Sequence, residues 1–371
     1  MGLKTYIGGP SNVPNSYLEL AVPVAGDDVY VPANAGNCVI AADLPSSGQL
    51  RSFIVDNGYT GTIDFGNFKV YAGQGNLTGT IFDSGTSANY QCGTGGVQLY
   101  STSSTKSGVN IVKANNANMA NVNVYLNSNG LGRYMDFQSD FYCNLLKIIA
   151  YSIYLSKRTY MLNIYGGFED SLINNNANIA LNINTNNITF FGGNINSFNT
   201  LQVYGAVYIG GIITLLHDFQ LSISNTTNST YSGLYYNTNG SINCNGYNVI
   251  YYVTGYNYNH NIYIDKAIDK LIIVNSSNYA STLRILNDIT VNNYFSIVET
   301  PRSRSPFNAV RSATNGTKIN ITLGNNCKYL IAWSLLYDLS FNKPVTAFKS
   351  SVNNCDNINV VDYPQTIISV K

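Results

Sequence analysis

Asn186 to Gly205 reads NNITFFGGNINSFNTLQVYG. Asparagine alternates with Ile, Phe, Leu and Val around a Gly-Gly pair, and no residue in the stretch carries a charge. Alternation of apolar and polar side chains with a period of two is the pattern of a half-buried strand. The uncharged region is longer than the quotation: from Ser171 to Ile264 the only acidic or basic residue, His aside, is Asp218. Helical periodicity is nearly absent. The one stretch that invites a helix, Cys143 to Arg158, places Leu145, Ile149, Tyr151 and Ile153 as well for strand alternation as for a helical face. The chain reads as all-β.

Of 371 residues 45% are apolar, enough for a sizeable core, whereas only 11% are charged, less than half the ordinary share. There are 54 asparagines and 30 tyrosines, but one tryptophan, Trp333, and two histidines, His217 and His260. A net charge of +1 gives no electrostatic case for nucleic acid. No apolar run is long enough for a membrane-spanning helix, so no membrane insertion is expected. MGLKTYIGGP lacks the apolar segment of a secretory leader, which predicts synthesis in a cytoplasm. Six cysteines are scattered without a C-x-x-C pair or a nearby His. Buried free thiols are therefore expected, with no metal and no cofactor.

Residues 1–23, with Pro10 and Pro14, read as an irregular attachment arm. Residues 24–105 hold eight short candidate strands, and Asp56-Asn57-Gly58 supplies the residue types of a tight hairpin. That texture predicts a β-sandwich or jelly-roll-like domain. Residues 106–298 are Asn-rich strands and turns, expected as a parallel β-helix (solenoid). Ile188–Ile195 and Ile242–Val249 share a motif at an offset of 54 residues (242 − 188), but no constant period is present. The Pro- and Arg-rich 299–312 reads as a linker or loop, and 313–371 as a small C-terminal β-domain.

The abundance of asparagine has a physical reading. In stacked parallel coils equivalent residues lie about 4.8 Å apart, so like charges repel while Asn amides can bond along the axis as a ladder. The alternative is an AT-rich mutational bias. Lysine is not enriched, so bias accounts for the composition incompletely.

Catalytic chemistry is poorly supplied. Asp136 with Asp140, Glu169 with Asp170, and Asp265 with Asp269 are the paired carboxylates, and each reads better as surface than as an acid–base pair. His217 beside Asp218 reads as a turn or cap. Tyrosine is the better lead, because its flat ring and hydroxyl suit sugar or protein recognition. Tyr235, Tyr236, Tyr251, Tyr252, Tyr256 and Tyr258 are the candidate binding residues, against an alternative role as strand filler and intersubunit packing.

Asn186–Gly205, with Leu50–Ser101 before it, resembles the tail spikes and fibres of bacteriophages and related viruses. The resemblance implies a virion surface protein made in the host cytoplasm and assembled as a homotrimer. It would be attached to other virion proteins through its N-terminal region and would contact a host surface glycan or protein. A non-enzymatic fibre, spike or capsid-decorating appendage is the expectation. The alternatives are a β-helix glycan depolymerase and a cell-surface adhesin or surface-layer subunit.

Overall fold

The computed structural model describes residues 2–73, 79–101, 110–128, 133–149, 153–156, 161–170, 181–183, 187–197, 201–203, 206–225, 233–236, 239–255, 259–275, 282–299 and 309–361. They form two compact units, Met1–Leu201 and Gln202–Lys371. Both are all-β with parallel sheets, and the only helical turns among the described residues are the 3-10 turns Pro14–Ser16 and Ala117–Asn121.

Over residues 52–101 the chain visits three sheets in rotation, and from Ile111 the described strands of the first unit alternate between two of them. One contains Leu3–Thr5, Asp28–Val31, Ser52–Val55, Thr80–Asp83, Ile111–Lys113 and Arg133–Phe137. A second contains Lys69–Ala72, Gly96–Ser101, Val124–Ser128, Phe141–Ile148, Met161–Asp170 and Asn187–Asn196. A third, of short strands, runs from Gly9–Pro10 through Cys38–Val39 and Thr62–Asp64 to Asn89–Gln91. Each strand pairs in parallel with the strand one circuit later, so the same inward position recurs rung after rung. Val70, Val97, Val124, Leu146, Phe168 and Ile195 stack in register and are at most 1% exposed. Val29, Phe53, Phe82, Val112 and Phe137 form a facing stack, with the Phe53 and Phe82 rings 6.5 Å apart. Burying each such side chain contributes about 1.5–3 kcal/mol, which makes these stacks the main source of cohesion.

The second unit follows the same rule. Leu221, Tyr251, Ile273, Ile297, Ile331 and Ala347 stack in one sheet, and Val207, Leu234, Ile262 and Ile285 in the other. Residues 319–361 continue this parallel pairing: Ile289 lies beside Ile321 and Ile297 beside Ile331.

Two expectations are corrected. A sandwich over 24–105 requires antiparallel hairpins, but the described ladders of that region are parallel. At Asp56–Gly58 the carboxylate accepts the Gly58 N–H at 2.8 Å, and the turn leads from Ser52–Val55 in one sheet to Thr62–Asp64 in another. The segment read as an irregular arm contributes Leu3–Thr5 and Gly9–Pro10 to the sheets. Residues 14–18 then fold back over that first rung, bonding Leu18 N–H to the Thr5 carbonyl and Ile7 N–H to the Ser16 carbonyl. Leu18 and Leu20 remain 67% and 65% exposed on it, Leu20 with a left-handed φ of 51°.

Rung spacing is not constant. Val70, Val97 and Val124 recur every 27 residues (97 − 70 and 124 − 97), whereas Leu335 and Ser351 pair after 16 (351 − 335). The strands keep register and the turns absorb the difference.

The turns, and an irregularity within the strand Leu339–Phe348, also show what asparagine does. Asn342 accepts the Leu323 N–H at 2.9 Å and donates to the Leu323 carbonyl at 3.0 Å, standing in for a strand on the neighbouring rung. Asn287 does the same for Ile264, at 3.0 and 2.6 Å. Asn–Asn bonds between rungs occur, as from Asn144 Nδ2 to Asn123 Oδ1 at 3.0 Å. Among the described residues, bonds to the neighbouring rung's backbone are the commoner use.

Phe168→Ala should cost about 3–5 kcal/mol by leaving a cavity between Leu146 and Ile195, read from chemical denaturation. Asn342→Leu should cost about 1–3 kcal/mol in the same assay, because it strips both backbone groups of Leu323 of their partner.

Candidate functional site

The tyrosines singled out from sequence separate by strand parity. Tyr236 and Tyr251 are 1% and 0% exposed. Both alternate inward, Tyr236 above Ile209 and Tyr251 between Leu221 and Ile273, so they are core residues rather than contact residues. Burial drives both phenols well above their ordinary range. Tyr235 is half-buried: its ring stacks on Tyr208 at 5.2 Å, and its hydroxyl accepts Asn261 Nδ2 at 3.2 Å. Tyr252 is half-buried, with its phenol pushed up first by burial and then by Asp218. Tyr256 and Tyr258 lie outside the described residues.

Most of the carboxylates considered for catalysis hold structure instead. Asp218 accepts both the backbone N–H and the amide of Asn248, at 2.8 and 3.0 Å, which makes it a turn cap. Glu169 pairs with Lys147 at 2.8 Å, Asp136 accepts Gln138 Nε2 at 2.9 Å, and Asp269 accepts the Asn293 amide. Asp265 is exposed, and the side chain of Asp170 lies outside the described residues. Among the described residues no group of His, Cys, Asp and Glu is placed to hold a metal ion.

His260 has the opposite setting from a catalytic base. It points inward in register with Leu283, is 0% exposed, and neither ring nitrogen has a hydrogen-bond partner.

The feature best built for contact lies in the first unit, where the second sheet begins each rung. An open pocket of about 390 Å³ is lined by Tyr90, Gln91, Cys92, Asn121 and Asn144, none of them charged. Burial holds the Cys92 thiol above its usual range, so it is protonated and neutral. Asn144 is fixed: its Nδ2 donates to Asn123, whose own amide donates to the Gly93 and Gly95 carbonyls at 3.1 and 3.2 Å.

Along the axis from Asn144, successive strands bulge. Register shifts occur between Cys143 and Leu145, and between Ile164 and Gly167. A bulge re-aims the side chain beside it. Tyr165 and Phe191 stand at these bulges, are 36% and 40% exposed, and stack on one another with centroids 4.5 Å apart and ring planes 9° from parallel. Two glycines permit the close approach: a Cβ on Gly166 would lie 2.0 Å from Asn144 Oδ1, and one on Gly193, at φ +85°, 2.0 Å from the Gly166 carbonyl.

Beside this column, on the same sheet, Tyr71, Gln98, Tyr125, Lys147, Glu169 and Asn196 are in register on successive rungs. Lys69 Nζ sits 3.9 Å over the Tyr125 ring, and the Tyr125 hydroxyl donates to the Thr94 carbonyl at 3.1 Å, next to the pocket. Burial lowers the Lys69 ammonium below its usual range and raises Tyr71 to about 12, with Asp43 adding to the rise at Tyr71.

Tyr165 and Phe191 were not singled out from sequence. The signal that would have found them is a repeat: Tyr165-Gly166-Gly167 and Phe191-Gly192-Gly193, each an aromatic residue before a glycine pair.

No family model, curated protein or solved structure matches the chain.

Burial lowers the His260 imidazole from 6.5 to about 4. Between those values the unfolded chain binds a proton that the folded chain refuses. Stability is therefore full above pH 6.5 and falls as pH drops toward 4, by roughly 2–3 kcal/mol. His260→Leu should remove that share of the pH dependence, read from denaturation at pH 7 and pH 4 beside the parent chain.

Proposed function

We propose that the protein is a non-enzymatic virion structural protein, a fibre, spike or capsid-decorating appendage built as a parallel β-helix, and that it contacts the host surface. The observation that carries this reading is the column of the first unit. Two aromatic rings, stacked on each other and 36% and 40% exposed, stand beside an uncharged pocket on strands locked by parallel register. Exposed aromatic side chains on a rigid scaffold are contact groups, since they bind with little ordering cost.

The solenoid reading is supported by rotation of the chain through three sheets and by in-register stacking in each unit. The non-enzymatic reading is supported by the use of carboxylates as caps and ion-pair partners at Asp56, Asp218 and Glu169. Attachment to other virion proteins fits the first rungs, where Leu3, Ile7, Leu18, Leu20 and Val24 are exposed and a bound partner would cover them. Trimerisation would cover further exposed strand and apolar surface.

Light scattering on the native protein should give three times the 40.5 kDa chain mass, and the purified protein should adhere to cell-envelope preparations of its host. A monomeric mass would overturn the trimer. Failure to adhere to any envelope preparation would overturn the attachment function.

A further inference from the structure

We propose that the column running from the pocket at Asn144 to the Tyr165/Phe191 pair is a binding site for an uncharged oligosaccharide. The proposal rests on the attachment reading and assigns the ligand class and the residues.

The chemistry of the lining selects the ligand. A carboxamide offers both donors and acceptors, as a sugar hydroxyl does, and Gln91, Asn121 and Asn144 place three of them around one opening. The lining offers no counter-charge to an anion or a cation, so it gives a charged ligand group nothing that a neutral one lacks. A purely apolar ligand would leave those amides without partners. What remains is a molecule with an apolar face and a rim of hydroxyls. Tyr165 and Phe191 supply complementary apolar surface: they stack on each other, remain 36% and 40% exposed, and sit at the register shift between Ile164 and Gly167.

The site is also built before the ligand arrives. Asn144 is tied to Asn123, and Asn123 to two backbone carbonyls, so little ordering is required on binding. The pocket, Asn144, Tyr165 and Phe191 follow one another along the rung direction, in which neighbouring strands advance about 4.8 Å. A chain of repeating sugar units laid along the axis would therefore meet a new contact group at each rung. The charged neighbours lie to one side: Lys147 and Glu169 are paired with each other, and Lys69 is held over the Tyr125 ring.

The test is a printed array of neutral and acidic oligosaccharides, probed with the full chain and with Tyr165→Ala, Tyr165→Phe, Gln91→Arg and Lys147→Ala. Far-UV circular dichroism and native mass check each variant. All three positions are at least partly exposed, and Gln91→Arg reports on the site independently if Tyr165→Ala fails to fold. The expected result is retention of neutral oligosaccharides, weakened roughly tenfold by Tyr165→Ala, weakened by Gln91→Arg and preserved by Tyr165→Phe. The proposal is overturned if the parent chain retains no neutral oligosaccharide, or if retention is unchanged in both Tyr165→Ala and Gln91→Arg. It is also overturned if only acidic oligosaccharides are retained and Lys147→Ala releases them. Adhesion to host envelopes with no neutral oligosaccharide retained would remove the ligand class and leave the attachment function standing. Adhesion to neither would remove both.

Discussion

Parallel register is the constraint on which everything else in this protein depends. A residue's nearest neighbours are its equivalents on the rungs before and after, so every choice of side chain is made in columns. Apolar columns such as Val70 to Ile195 reinforce themselves, because each member buries the faces of the next. A column of like charges would do the reverse, with unit charges held a few ångströms apart. The scarcity of Lys, Glu and Asp follows from that geometry. On the second sheet of the first unit Lys147 is placed against its opposite, Glu169.

The turns answer a second requirement. A coil that leaves one sheet and enters another has backbone N–H and carbonyl groups that no strand reaches. Asn287, Asn245 and Asn123 supply the missing partners from a neighbouring rung. Aspartate does this where only donors need satisfying, as Asp218 does for Asn248 and Asp43 for the Lys69 N–H. Asparagine is the more versatile choice because it carries both donor and acceptor and adds no charge to a column. The long uncharged interval of the sequence is the imprint of that rule.

The alternation that made Asn187–Asn196 a strand was legible in the sequence, and so was the all-β class. Over 24–105 strand direction was not, whereas the parallel pairing expected of 106–298 is what the ladders there show. A hairpin and a coil share the same period of two and the same turn residues, and Asp56-Asn57-Gly58 serves a passage between sheets as readily as a reversal. Side-chain facing was legible only up to a choice of parity. Tyr251 and Tyr252 are neighbours, and one is wholly buried while the other is not. The column at Tyr165 and Phe191 was hidden for a different reason. It depends on bulges that shift register between Ile164 and Gly167, and a bulge leaves no mark in composition. The repeated aromatic before Gly-Gly was its only trace.

The unequal rungs have an evolutionary consequence. A spacing of 27 residues in one place and 16 in another means that length is stored in the turns and alignment in the strands. Residues can enter or leave a turn without any side chain changing sides, so the outline of the molecule is free to drift while its interior stays as it was. One residue inserted within Val124–Ser128 would turn the rest of that strand inside out. Lineages of such a chain are thus expected to differ in contour and agree in core. A surface that must keep pace with a changing counterpart can be remodelled coil by coil, with the scaffold beneath it left intact.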